Sequence, residues 1–130
     1  MELFFLTGRI LFGGYFLMNA MNHFRKTQML ADYAASKNTP MPREAVLFTG
    51  ALLLIGGGGM LLGVFVPLAA FSIVLFMIPV GFMMHAFWKE TDPMQRMMQM
   101  ILFMRNMALA GAALMILGVP EPWPYSFWVI

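Results

Sequence analysis

Residues 44 to 88 read EAVLFTGALLLIGGGGMLLGVFVPLAAFSIVLFMIPVGFMMHAFW, and only the first of them, Glu44, is charged. A membrane-crossing helix needs ~20 predominantly apolar residues, so this stretch holds two, separated by Gly63 to Pro67. That connection carries no charge and is short enough to force an antiparallel hairpin. A second pair of apolar runs flanks it. One extends from about Leu3 to His23, and the other begins after Asp92-Pro93 and continues to about Gly118, where Pro120, Pro122 and Pro124 prevent further helix. The expected spans are therefore about 3–23, 44–62, 68–88 and 94–118. Of the 130 residues 61% are hydrophobic and 11% charged, where soluble domains have about a quarter charged, and a water-soluble fold does not fit this composition. Four spans leave only about fifty residues. The expectation is one transmembrane domain over residues 1–130, an all-α antiparallel four-helix bundle.

The first apolar run lacks the basic start and small-residue cleavage site of a signal peptide, and Arg9 lies within it; it is expected to be retained. The first connection is the only long one. Phe24, Leu30 and Tyr33 alternate there with Arg25, Lys26, Gln28, Asp32 and Lys37, a pattern that predicts a short amphipathic helix lying in the interface. Arg25, Lys26, Lys37 and Arg43 are in the first connection and Lys89 and Arg96 in the third. Basic connections stay on the cytoplasmic side, which places both termini away from the cytoplasm. The Pro-Trp-Pro-Tyr-Ser-Phe-Trp tail, residues 122 to 128, is expected in the headgroup region as an aromatic anchor.

Several chemistries are excluded. With no cysteine there can be no disulfide relay, thiol nucleophile or cysteine-held metal cluster. The sixteen methionines are scattered through all the apolar segments and read as flexible packing filler rather than as soft-metal ligands. Gly56 to Gly59 are not followed by Lys-Ser/Thr and make no phosphate loop. Together with Gly50 and Gly63 they strip one face of the second span, and Ala108, Gly111, Ala112 and Ala113 give the fourth a similarly small surface, so these two spans are expected to pack closely, within one chain or between subunits.

Polar side chains within a span are costly and are functional candidates by default. Those present are Arg9, Asn19, Asn22, His23, His85, Arg105 and Asn106. His23 and His85 fall at the same level, near the basic connections. Arg9 lies ~21 Å from His23 along the helix and on nearly the same face. Arg105 and Asn106 are ~18 Å into the fourth span, close to the level of Arg9, so the two arginines can approach one another. Gln95, Gln99 and Asn106 form a polar stripe on the fourth span. No carboxylate lies at the arginines' depth: Glu2, Glu44, Glu90, Asp92 and Glu121 stand at span ends and Asp32 in a connection. Arg9 can snorkel outward toward Glu2, and Arg105 can bond carbonyls near the glycines of the second span or a partner subunit. Alternatively the guanidinium forks hold a lipid phosphate or a quinone carbonyl. Arg9, Asn22, His23, His85, Arg105 and Asn106 are the candidate ligand-binding residues; no catalytic residue, no metal ligand and no intrinsic cofactor is expected, since two interfacial histidines without thiolates make a poor haem or metal site.

Arg9-Ile10-Leu11-Phe12-Gly13, Asn22-His23-Phe24, Pro40-x-Pro42, the glycine-rich second span ending at Gly63, His85-Ala86-Phe87-Trp88, Asp92-Pro93, Gln95, Phe103 to Gly111 and Tyr125-Ser126 together resemble the DoxX family of small bacterial and archaeal membrane proteins. His23 and Arg105 stand where that family commonly has lysine, Pro67 where it often has arginine, and the second span lacks its frequent intramembrane glutamate. The resemblance implies a four-helix membrane bundle. Some members of the family look like membrane subunits of oxidoreductase assemblies, including quinone-linked thiosulfate oxidation and a complex protecting against oxidative stress. The leading expectation is thus a membrane subunit of a redox complex that holds a quinone or lipid headgroup near Arg9, Arg105 and Asn106, with the lipid bilayer and other membrane subunits as partners and no nucleic acid. A carrier of a small lipophilic or anionic molecule, or a purely structural subunit, are the alternatives; an enzyme acting alone is least expected.

Overall fold

A computed structural model describes residues 1–127. Its helices are α1 (Glu2–Arg25), α2 (Thr27–Ser36), α3 (Pro42–Leu62), α4 (Val66–Met84) and α5 (Pro93–Ile116), with a 3-10 turn at Phe87–Lys89 before α5. Among the described residues there is no strand. Four helical segments are long and apolar enough to cross a membrane: Glu2–Arg25, Pro42–Leu62, Val66–Lys89 and Pro93–Ile116. Their outer faces carry Phe4, Leu11, Leu54, Phe71, Ile101 and Met104, all exposed, a surface that lipid tails cover and water would not tolerate. The helix ends follow local chemistry. Asp92 accepts a hydrogen bond from the Gln95 backbone N–H at 3.0 Å and Pro93 occupies the first turn of α5. Gly63 closes α3 at φ 70°, the left-handed conformation that glycine adopts without steric cost.

The third span differs from its expected extent. α4 stops at Met84, and residues up to Trp88 continue as a bend and a 3-10 turn, so His85 sits at a break instead of inside a helix. The first connection does hold a short helix, α2, whose buried residues are Ala31 and Ala34.

α1 lies along α3, α3 also packs against α4, and α4 against α5; α2 lies mainly against α3. The expected pairing of the second and fourth spans is thus not the one formed within the chain. Helix packing is decided by which glycine faces which neighbour. A Cβ on Gly57 would stand 2.9 Å from both the Gly13 carbonyl oxygen and the Leu17 nitrogen of α1, while one on Gly59 would stand 2.6 Å from Ala69 Cβ on α4. The α3 glycines therefore serve contacts with α1 and α4, whereas a Cβ on Gly111 of α5 would meet nothing within 4 Å. These close approaches lie toward the bundle end that holds the termini and the α3–α4 hairpin. Phe16, Leu53, Met60, Ile73 and Met77 fill the core between them. The opposite end bears the basic connections, tied together by an ion pair between Lys37 and Glu90 at 3.5 Å.

Candidate functional site

The basic end contains a chamber of about 410 Å³, within the size range of small-molecule sites. Val46, Thr49 and Leu52 of α3 face Phe76, Pro79 and Val80 of α4 across it, Leu30, Tyr33 and Ala34 of α2 cover it, and His23 and His85 both line it. Phe48, Leu75 and Met83, which also line it, are exposed, so its mouth lies on the apolar outer surface between α3 and α4. The chamber forms where α3 and α4 are no longer drawn together by glycine and alanine. Pro79 contributes as well, because it removes the N–H that would bond the Leu75 carbonyl.

Both imidazoles are oriented from behind. His23 Nδ1 is 2.8 Å from the Asn19 carbonyl oxygen; a carbonyl only accepts, so Nδ1 carries the proton and donates. His85 Nδ1 lies 2.9 Å from Gln99 Oε1 on α5 and donates in the same way. In each neutral ring Nε2 is then an acceptor, and neither Nε2 takes part in a hydrogen bond among the described residues. The His23 ring packs edge-on against Phe76, with centroids 5.7 Å apart, and Gly50 makes room for it: a Cβ there would stand 3.0 Å from His23 Cβ. Thr39 Oγ1, a further polar atom on the chamber wall, is buried and has no hydrogen-bond partner among the described residues. Among the described residues no Lys, Arg, Asp or Glu lines the chamber.

Arg9 lies at the other end. Its side chain is buried, and it donates from Nε to Met60 O at 3.2 Å, from Nη2 to Leu61 O at 2.8 Å and Tyr125 O at 3.5 Å, and from Nη1 to Pro124 O at 2.5 Å. The last four carbonyls of α3 have no partner within the helix. Gly59 O receives the Gly63 and Val64 N–H groups, Met60 and Leu61 receive Arg9, and Leu62 receives the Phe127 N–H at 2.9 Å. The charge of Arg9 is thereby set against the negative end of the α3 dipole without any carboxylate. Trp123, 1% exposed, stacks edge-on with Phe5 at 5.1 Å and lies 5.5 Å from the Arg9 guanidinium carbon. The tail expected as an interfacial anchor is therefore a plug in its first half: Trp123 is in the core, Tyr125 and Phe127 are exposed, and Trp128 falls outside the described residues.

A family model for DoxX matches residues 4–86. The chain belongs to the DoxX family. No curated protein and no solved structure matches it. As a DoxX protein with four such helices it is a multi-pass membrane protein in a lipid bilayer. The matched region includes α1 from its third residue, α2 to α4 and all of the chamber lining, while α5 and the tail, with the Asp92-Pro93, Phe103 to Gly111 and Tyr125-Ser126 motifs, lie beyond it.

The remaining candidates of this DoxX chain are dispersed. Asn22 is exposed on the outside of α1. Asn106 is buried and donates from Nδ2 to Met77 O at 3.2 Å, fastening α5 to α4. Arg105 is exposed, and its Nη2 donates to Asn106 Oδ1 at 3.3 Å. The two arginines do not converge: Arg9 is drawn to the α3 carbonyls, and Arg105 falls on the outward face of α5. It is Arg9, not Arg105, that bonds carbonyls near the α3 glycines. The polar stripe of α5 divides likewise, Gln95 being exposed, Gln99 orienting His85 and Asn106 holding α4. Thr39, Thr49 and Phe76 of the chamber were not singled out from sequence. Thr39 lies in a polar connection where a hydroxyl is unremarked, and the other two read as ordinary span residues.

Proposed function

We propose that this DoxX protein is a membrane subunit that holds a quinone-class molecule in the chamber between His23 and His85 for an oxidoreductase complex. The observation that supports this is an apolar, lipid-facing chamber with two unpaired imidazole Nε2 atoms and an unpaired hydroxyl, and no charge on its walls. Among the described residues that line it, none is a cation that would bind a phosphate headgroup directly. A quinol is better matched, since its hydroxyls donate to Nε2 while its ring and tail lie against Phe76, Leu52 and Leu75. The Thr39 hydroxyl supplies a donor for the quinone carbonyl. By the positive-inside rule the chamber would lie toward the cytoplasm, where a soluble redox partner could reach it.

Binding of a short-chain benzoquinol and its quinone to the detergent-purified protein tests the reading, with retained lipophiles measured by native mass spectrometry. His23→Phe and His85→Phe should each weaken quinol binding about tenfold, ~1.4 kcal/mol, while the melting temperature is preserved. Absence of binding by the wild type, or binding by both variants as tight as that of the wild type, refutes it.

A further inference from the structure

Arg105 is exposed near the middle of α5, twelve residues after Pro93 and eleven before Ile116, or ~18 Å and ~17 Å from the two ends. Its polar contact is with the neighbouring Asn106 alone among the described residues, and Asn106 gives its own amide hydrogen to Met77. An outward guanidinium at that depth is costly in hydrocarbon. The surrounding surface admits a close neighbour: Ala108, one turn further along, is exposed, and Gly111 has open space where a Cβ would project. Small residues of this kind let helix backbones approach in a membrane.

Charge complementarity selects what covers this face. The occupant has to bring an anionic group to mid-depth. A second copy of the chain cannot, because Glu2, Asp32, Glu44, Glu90, Asp92 and Glu121 all lie at span ends or in connections, and symmetry would set one Arg105 beside another. A lipid phosphate is confined to the level of the helix ends. We propose that this face of α5 docks a transmembrane helix of another subunit, one bearing an Asp or Glu near mid-membrane that pairs with Arg105. The proposal is independent of the ligand assigned to the chamber.

The chain has no cysteine, so Ala108→Cys gives a unique attachment point for a thiol-linked photo-crosslinker in the native host membrane. The expected product is a peptide from a span of a different protein with Asp or Glu within one turn of the crosslink. Arg105→Glu should lower its yield at least tenfold, and changing the partner acid to lysine should restore it. Because glutamate at this depth can hinder insertion, Arg105→Gln is carried in parallel; it should also lose the crosslink while its melt is unchanged. Crosslinking to a second copy or to lipid only, no crosslink at all, a partner span without an acid, full yield in Arg105→Gln, or failure of the charge exchange to restore binding each overturns the proposal.

Discussion

Arg9→Met removes the guanidinium while nearly keeping the side-chain length, and its cost follows from the groups it strands. The Met60 and Leu61 carbonyls lose the donors they have among the described residues, at ~1–3 kcal/mol for each unsatisfied buried group. Loss of the cation–π contact with Trp123 adds roughly 0.5–2 kcal/mol. The Pro124 and Tyr125 carbonyls can turn toward water and add little. Against this stands the relief of no longer burying a charge, which leaves a net loss of about 3 kcal/mol. At ~4 °C per kcal/mol for a chain of this size, the melting temperature of the detergent-purified protein should fall by roughly 10 °C. A second signal distinguishes release of the tail from general weakening. In a Trp88→Phe, Trp128→Phe background, emission from Trp123 should shift to the red as it leaves the core. Arg9→Lys should fall between the two, since one ammonium cannot serve carbonyls spread over a planar fork. An Arg9→Met protein that melts within 2 °C of wild type, with Trp123 emission unmoved, would refute the assignment of Arg9 as the tie between α3 and the tail.

Three further outcomes are expected. Gly57→Ala should destabilise by ~1–3 kcal/mol because its Cβ meets α1 backbone, whereas Gly58→Ala, with nothing within 4 Å, should leave the melt unchanged or slightly raised; equal effects would refute the α1–α3 packing. Asn106→Leu should cost ~0.6 kcal/mol, the average for an intramembrane side-chain bond, and a thermal melt indistinguishable from wild type in Asn106→Leu and Asn106→Ala alike would show that the bond to Met77 contributes nothing. A periplasmic reporter fused after Ile130 should be active and a cytoplasmic one inactive, as the basic connections require; the reverse pattern would turn the chamber outward.

The membrane-spanning segments were legible because hydrophobic runs and their lengths are local properties, as were the hairpin at Gly63 and the Asp92-Pro93 start of α5. The partners of the glycines were not, since a run such as Gly56 to Gly59 presents small surface in every direction and only the assembled bundle decides that Gly57 meets α1 and Gly59 meets α4. His23 and His85 could be placed at one level from their distances to the span ends, and they do line one chamber. The chamber itself is a property of three helices and a connection at once, which is why Thr39 escaped notice. From sequence Arg9 is expected to reach outward toward Glu2 and Arg105 to reach carbonyls near the glycines of the second span, because both are cations within spans with no carboxylate at their depth. What separates them is tertiary: one reaches carbonyls more than fifty residues away, and the other faces outward.

The closure around Arg9 also imposes an order on biogenesis. Arg9 enters the membrane with the first span, yet its Pro124 partner is made 115 residues later, and the Phe127 N–H that completes the end of α3 later still. During synthesis the first helix must carry a cation that no finished structure yet accommodates, so it stays near the water boundary or the insertion machinery until the tail arrives. A chain cut short between residues 117 and 123, before Trp123, would possess all four spans and still lack its seal, and it would present to membrane quality control an unsettled charge and a hollow where Trp123 belongs.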